Sequence, residues 1–286
     1  MDLYVTALNS GSNGNCYYIG NEEEAVLVDA GISCREIEKR MKRLDLSIYK
    51  VKALFISHEH SDHIRGIRVL SKKFNLPVYI TPGTLQHSGI NPDNPLVNFL
   101  ESYKTVRVGN LWITAFPKFH DARDPQSFII KHNEVCVGVF TDIGASCEHV
   151  IKHFKCCHAI FLEANYDPVM LSTGNYPYHL KRRISGGRGH LSNQQALELF
   201  LQYKPAHMSH VFLSHLSKEN NDPALAFSLF EANAQGVKVV LTSRNEEIPV
   251  YKISHQLRKK EQIEIRNIPE VAMPYTEPGL QMSLNF

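Results

Sequence analysis

Short apolar runs recur along the chain. They alternate with stretches whose apolar positions return every three or four residues, and these are the periodicities of buried strands and of amphipathic helices. The runs predict strands near 3–8, 16–20, 25–29, 52–57, 77–81, 104–108, 111–116, 127–131, 135–141, 158–163, 208–213 and 237–242. Helices are predicted near 33–45, 63–74, 82–88, 147–155, 192–203 and 223–235, several opened by residues suited to a first turn: Ser33, Asp62, Pro82, Ser192 and Pro223. Two sheets sandwiched between helices accommodate this order, which makes the chain an α/β protein. Residues 257–286 lack any such periodicity: the charged run Arg258-Lys259-Lys260-Glu261 gives way to a segment bearing Pro269, Pro274 and Pro278. One domain over residues 1–256 is therefore expected, followed by an extended C-terminal tail over residues 257–286.

A chain of 286 residues is long enough to bury a sizeable core without dividing into two domains. Its formal net charge of +2 is too small to imply a nucleic-acid or membrane partner by itself, so any basic surface must be local. Six cysteines (Cys16, Cys34, Cys136, Cys147, Cys156 and Cys157) are scattered without a Cys-x-x-Cys pair, and Met1-Asp2-Leu3-Tyr4 has neither a basic nor an apolar leader region. Reduced thiols and a cytoplasmic location are expected. No apolar run approaches the roughly 18 residues of a membrane span.

The chemistry concentrates in His58-Glu59-His60-Ser61-Asp62-His63, which follows the apolar run Val51 to Ser57 and so lies where a strand ends and a helix begins. Neutral imidazoles and a carboxylate suit zinc, manganese or iron. His58 and His60 are placed to serve one metal, Asp62 and His63 a second. Further candidates end other apolar runs: His120 after Leu111–Phe116, Asp142 after Val135–Thr141, and His215 after His210–Ser214.

This ordered set, His-x-His-x-Asp-His, a lone His, a lone Asp and a last His, resembles the metallo-β-lactamase fold superfamily over about residues 1–245. Asp29, ending Ala25-Val26-Leu27-Val28, fits that superfamily's first motif. The resemblance implies a four-layer αββα sandwich and two divalent ions, zinc or manganese, since magnesium is a poor match for so many imidazoles. It implies that His58, His60 and His120 hold one ion, that Asp62, His63 and His215 hold the other, and that Asp142 bridges them. Asp29 would orient the ligand loop from behind.

The segment Gly187-Arg188-Gly189-His190-Leu191-Ser192-Asn193 opens a helix, where backbone amides and the Ser192 hydroxyl suit a phosphate, with Arg188 beside it and His190 as proton donor. Its Gly-His-Leu-Ser core is similar to the His-bearing motif of the tRNA 3′-processing nucleases, which points to phosphodiester chemistry. Just before it, Lys181, Arg182 and Arg183 suit backbone phosphates, although a solvated helix face is equally consistent. In Ser10-Gly11-Ser12-Asn13-Gly14-Asn15, Ser12 and Asn15 offer hydrogen bonds into a cleft, and an ordinary hairpin turn is an equal contender.

Taken together with Phe119-His120-Asp121-Ala122-Arg123-Asp124-Pro125, Glu163-Ala164-Asn165-Tyr166-Asp167 and His215-Leu216-Ser217-Lys218-Glu219-Asn220-Asn221, these motifs resemble the YycJ/WalJ branch of the superfamily. That resemblance implies a 5′-to-3′ exonuclease on double-stranded DNA, acting in repair. The stretch from Asp142 to His215 is too short for the large inserted domain of the RNase J and CPSF-type nucleases. The chain ends on Gln281-Met282-Ser283-Leu284-Asn285-Phe286, which fits the Gln-x-x-Leu-x-Phe pattern by which bacterial repair proteins bind the sliding clamp. Gln281, Leu284 and Phe286 would be the anchors on a flexible tether, and this selects DNA over tRNA as substrate.

The expected mechanism is attack on phosphorus by a hydroxide held between the two metals, with Asp62, His190 and Asp29 as the catalytic set and Arg188, Ser12 and Asn15 positioning the strand. The competing readings are a small-molecule hydrolase of lactones, lactams or thioesters, an RNA-processing nuclease, and a non-catalytic clamp-bound adaptor. The first of these leaves the basic run and the terminal hexapeptide without purpose, and the last has no use for a complete metal site.

Overall fold

The structure, a computed structural model, describes residues 2–255. The tail, with the expected clamp anchors Gln281, Leu284 and Phe286, lies outside the described residues. The first sheet is built from β1 (Leu3–Asn9), β2 (Cys16–Gly20), β3 (Ala25–Val28), β4 (Val51–Phe55), β5 (Val78–Ile80) and β6 (Val97–Phe99). The second holds β7 (Thr105–Val108), β8 (Leu111–Pro117), β9 (Gln126–His132), β10 (Val135–Phe140), β11 (Ala159–Glu163), β12 (His210–Ser214) and β13 (Lys238–Leu241). A last strand, β14 (Tyr251–Ile253), returns to the first sheet beside β1, so each sheet has seven strands. Helices α1 (Cys34–Arg43), α2 (Ser61–Ile64), α3 (Ile67–Phe74) and α4 (Pro82–Ser88) fall in the first half of the chain. Helices α5 (Glu148–Phe154), α6 (Pro168–Thr173), α7 (Tyr178–Ser185), α8 (Asn193–Tyr203) and α9 (Pro223–Glu231) fall in the second.

Alternation along the strands makes the layers. Val26 and Val28 face the second sheet, meeting a core that includes Phe128, Val137, Phe161 and Phe212, while Leu27 between them faces Ile37, Met41 and Leu70 of the helices. On β12, Phe212 joins the core between the sheets, and Val211 and Leu213 pack against Phe200 and Phe230 of α8 and α9. The architecture is the two-sheet sandwich that the pattern predicted, in the four-layer αββα form that the resemblance implied. Rings stack at its centre, with the Phe161 and Phe212 centroids 4.6 Å apart. Among the described residues no helix is long and apolar enough to cross a membrane, and all six cysteines are free.

Several elements depart from the sequence pattern for local reasons. The strand expected over 52–57 stops at Phe55, because the Ser57 amide donates to the Asp29 carboxylate (2.8 Å) instead of to a neighbouring strand. The single helix expected over 63–74 is two helices parted at Gly66. Its amide donates to the Ala30 carbonyl (2.7 Å), and a Cβ there would lie 2.2 Å from the Ile32 carbonyl oxygen. Asp62 does not cap this helix; it lies inside α2, whose N-cap is His60, which leaves the Asp62 carboxylate available to the site. The helix expected to run to 235 ends at Glu231, ahead of the left-handed turn at Gln235 (φ 49°) and Gly236 (φ 84°). Two short strands, β6 and β14, and two short helices, α6 and α7, escaped the pattern.

Candidate active site

Pairing of β3 with β4, of β10 with β11 and of β11 with β12 is parallel. The C-terminal ends of these strands therefore share one edge of each sheet, where ligands of open α/β sheets gather. Three of the expected site residues leave those ends through left-handed backbone: Asp29 (φ 61°), Asp142 (φ 54°) and His215 (φ 57°). That conformation costs an L-residue about 1–2 kcal/mol and must be held by its surroundings. The holding bonds are present. The Asp29 amide donates to the Phe55 carbonyl (2.8 Å), the His215 amide to Ser10 Oγ (2.8 Å), and Lys118 Nζ to the Thr141 carbonyl (2.7 Å), just before Asp142.

The structure brings together all seven expected metal ligands. His58 Nε2 lies 3.1 Å from His60 Nδ1, which is 3.3 Å from His120 Nε2. Asp62 Oδ2 lies 3.5 Å from His63 Nε2 and 3.6 Å from His215 Nε2. Asp142 sits between these triads, with Oδ2 3.2 Å from His63 Nε2 and Oδ1 3.7 Å from His120 Nε2. Within each of the groups His58–His60–His120, Asp62–His63–His215 and His58–His63–Asp142, the candidate ligand atoms lie within 4.8 Å of one another.

The arrangement suits cations. Asp142 Oδ2 and His215 Nε2 are buried with no hydrogen-bond partner, and leaving such groups unsatisfied costs about 1–3 kcal/mol each. Burial holds the His58 imidazole well below its ordinary pKa and that of His120 down at about 3, so both keep lone pairs free at neutral pH. Burial also pushes the Asp142 and Asp62 carboxyls upward, but His215 and His63 beside them win and hold both well below the carboxylate range. The reciprocal effect overcomes burial at His215 and lifts it to about 10 through Asp142, Asp62 and Glu163. The pocket is thus rich in anionic oxygen and imidazole nitrogen, the donor set of zinc or manganese.

Behind the ligands lie carboxylates that fix the rings. Asp29 Oδ2 accepts from His63 Nδ1 (2.7 Å) and from Ser57 Oγ (2.7 Å), leaving His63 Nε2 directed at the site. Glu163, which ends β11, was not singled out in the sequence as a site residue. Its Oε1 accepts from His190 Nδ1 (2.8 Å) and His215 Nδ1 (2.9 Å), and its Oε2 from the Ile143 and Leu191 amides at 2.7 and 3.2 Å. Burial opposes its ionisation, yet His190 and His215 hold the carboxyl down at about 2. The available signal was its place at the end of a predicted strand, as for Asp142 and His215.

The residues expected at a substrate strand divide. Asn15 is fully buried and turned inward, its Nδ2 3.2 Å from Asp62 Oδ2 and its Oδ1 accepting from Tyr17 OH (3.1 Å), so it braces a ligand and does not reach a cleft. Ser192 is likewise buried. Its hydroxyl accepts from the Gln195 amide (3.1 Å) in a capping box that starts α8, which commits it to the helix. Ser12 and Arg188 are exposed. On α7, Arg183 Nε bonds Asp121 beside His120, Lys181 Nζ donates to the Ser172 carbonyl (2.7 Å), and the Arg182 guanidinium stands 5.9 Å from the Tyr178 ring. The loop after α7 reaches the site itself: the Gly189 carbonyl lies 3.0 Å from His120 Nδ1, and the His190 amide donates to the Ile184 carbonyl (2.8 Å). Gly189 is required there, since a Cβ would lie 2.1 Å from the Ile184 oxygen.

A two-sheet sandwich with imidazoles and carboxylates converging on one edge is the frame of a metal-dependent hydrolase. Residues 10–144 match the family model of the metallo-beta-lactamase superfamily. The exodeoxyribonuclease YycJ of Bacillus anthracis is 35% identical over 79% of this chain and 87% of its own length. The exodeoxyribonuclease WalJ of Streptococcus pneumoniae serotype 2 is 32% identical over 77% of this chain and 83% of its own. Among solved structures, the metallo-beta-lactamase fold protein YhfI of Bacillus subtilis superposes with a TM-score of 0.67 over 88% of this chain and 100% of its own, at 15% identity. The chain belongs to the YycJ/WalJ family of the metallo-β-lactamase superfamily and is a metal-dependent hydrolase.

Proposed function

We propose that residues 1–256 form a 5′-to-3′ exonuclease domain that degrades double-stranded DNA in repair, using two divalent ions, zinc or manganese. In this reading His58, His60 and His120 hold one ion, Asp62, His63 and His215 the other, and Asp142 both. The observation that carries it is the convergence of these seven side chains on one edge of the sandwich, in a chain 35% identical to a protein named as an exodeoxyribonuclease. Bound ions would supply an activated water and neutralise charge on the phosphate.

The chain's own groups do the rest. His190 has a side chain 15% exposed, against 0% for His63 and His120 and 3% for His215, so it faces an incoming substrate. With Nδ1 tied to Glu163, its Nε2 is the atom free to protonate the leaving 3′-oxygen as the P–O bond breaks. Glu163 holds the ring in place and stabilises the imidazolium that gives up the proton, leaving a neutral imidazole after the transfer. Asp29 keeps His63 in register, Asn15 braces Asp62, and Arg188, Ser12, Lys181, Arg182 and Arg183 offer contacts to the DNA backbone.

Degradation of duplex DNA labelled at the 5′ or the 3′ end, with manganese or zinc, compares the intact protein with Asp62→Ala. Mononucleotides released from the 5′ end by the intact protein alone are expected. Rapid turnover of a chromogenic lactam or thioester with no cleavage of any nucleic acid overturns the reading in favour of a small-molecule hydrolase. The same reading places the protein with chromosomal DNA in the cytoplasm and makes Gln281, Leu284 and Phe286 its anchors on the sliding clamp. Removal of residues 281–286 is then expected to abolish retention on immobilised bacterial clamp while short duplexes are still cut; undiminished retention refutes the clamp assignment.

A further inference from the structure

Between β11 and α8 the chain builds α6 and α7, which stand apart from the three large cores. They share a small core of their own, in which Tyr166, Leu171 and Ile184 are packed by Tyr176 and Leu180. Outside it opens a cavity of about 450 Å³ lined chiefly by Tyr166, Pro168, Leu171, Tyr178, Lys181 and Arg182. That volume is in the ordinary range for small-ligand sites, about 300–1,000 Å³.

The chemistry of the lining is selective. None of its residues carries a carboxylate, and Asp167 nearby is occupied in capping α6 through the Val169 and Met170 amides, both at 2.9 Å. Tyr178 is 75% exposed, an aromatic ring presented to solvent, with the Arg182 guanidinium 5.9 Å from its centroid. An exposed planar ring with Arg182 beside it, in a cavity that Lys181 also lines, fits a flat, π-faced group that carries a phosphate, and it fits neither an acyl chain nor an acidic peptide so well.

Position links this cavity to the reaction. The helix that supplies Tyr178, Lys181 and Arg182 also supplies Arg183, bonded to Asp121 beside His120, and in its last turn Ile184, whose carbonyl accepts from the His190 amide. Tyr166, on the cavity wall, pairs with Ser192 two residues beyond His190. Helix α7 is eight residues long, so about 12 Å of helix separates the exposed ring from the candidate proton donor's loop.

We propose that this cavity takes an unpaired nucleobase of the strand being cut, stacked on Tyr178, with its phosphate on Lys181 and Arg182. It follows that a frayed or unpaired terminus is preferred over a blunt one. The proposal rests on the nuclease reading above for the identity of the strand, and the experiment separates the two. A duplex with a short unpaired 5′ extension carrying 2-aminopurine is titrated with the intact protein, Tyr178→Phe, Tyr178→Ala and Lys181→Ala/Arg182→Ala, each verified as folded by circular dichroism. Fluorescence quenching by the intact protein and by Tyr178→Phe, with binding weakened about fivefold or more in the other two, is expected. In cleavage assays the loss should fall on KM and not on kcat. Equal quenching by Tyr178→Ala, or none by the intact protein, overturns the stacking site, even where DNA is cut. Quenching that depends on Tyr178 in a protein that cuts no DNA would uphold the site while the nuclease reading fails.

Discussion

Glu163 is a single carboxylate placed to hold two imidazoles at once, His190 at 2.8 Å and His215 at 2.9 Å. Glu163→Gln keeps the shape but removes the charge that orients both rings, and residues in this supporting position are typically worth 10–100-fold in metal affinity or activity. A fall of about that size in cleavage rate is expected, with metal content followed by elemental analysis; unchanged values of both would show that the rings need no anchor. Lys118 is a second residue whose role is hidden in the sequence. Buried at 4% exposure, its ammonium is held below the usual lysine pKa by that burial, and it donates to the Thr141 carbonyl that precedes the left-handed Asp142. Lys118→Met leaves that carbonyl without its donor and should cost about 1–3 kcal/mol in urea unfolding. A variant as stable as the parent would argue that Asp142 holds its conformation unaided.

At the scale of elements, the site is a set of strand ends tied together by loops that fit only with glycine. A Cβ on Gly31 would lie 1.6 Å from the Asp62 carbonyl oxygen, while the Gly31 amide donates to the Asn15 carbonyl (2.8 Å). Gly31→Ala must therefore push α2, with Asp62 and His63, away from His215, although no metal ligand is altered. The expected result is a folded protein whose bound metal and activity both fall at least tenfold, by analogy with other changes behind metal ligands; full metal content would mean that the loop yields without moving Asp62. Much of this layer was legible: strands ending at Val28, Phe55, Phe140, Glu163 and Ser214 fall within two residues of their predicted ends. Helices α6 and α7 were not, although Asp167-Pro168 is an N-cap followed by a proline, because each is too short for apolar periodicity to register.

At the scale of the whole molecule, acid should loosen the fold through histidines outside the candidate metal-ligand groups. Burial, with neighbouring cations or histidines, holds His153, His158 and His210 at about 4, below the unfolded value of about 6.5. The unfolded chain then binds more protons between these values. The stability these residues provide is whole above about pH 6.5 and is lost as pH falls through about 4. His215, raised to about 10, has the opposite sign and keeps its contribution throughout that acid range. Melting temperatures of chelator-treated protein should decline from pH 7 to 4.5, and a flat profile would contradict it. The sequence by itself determined the sandwich, since alternation decides which side chains a strand must bury, and it determined the seven candidate ligands, since donor atoms at strand ends are a matter of residue type and order. Only the tertiary structure decided that Asn15 turns inward to brace Asp62, that Glu163 joins the site, and that Tyr178 stands exposed beside a cationic cavity. Those outcomes depend on which polar groups from distant segments meet in three dimensions, and local periodicity carries no record of that.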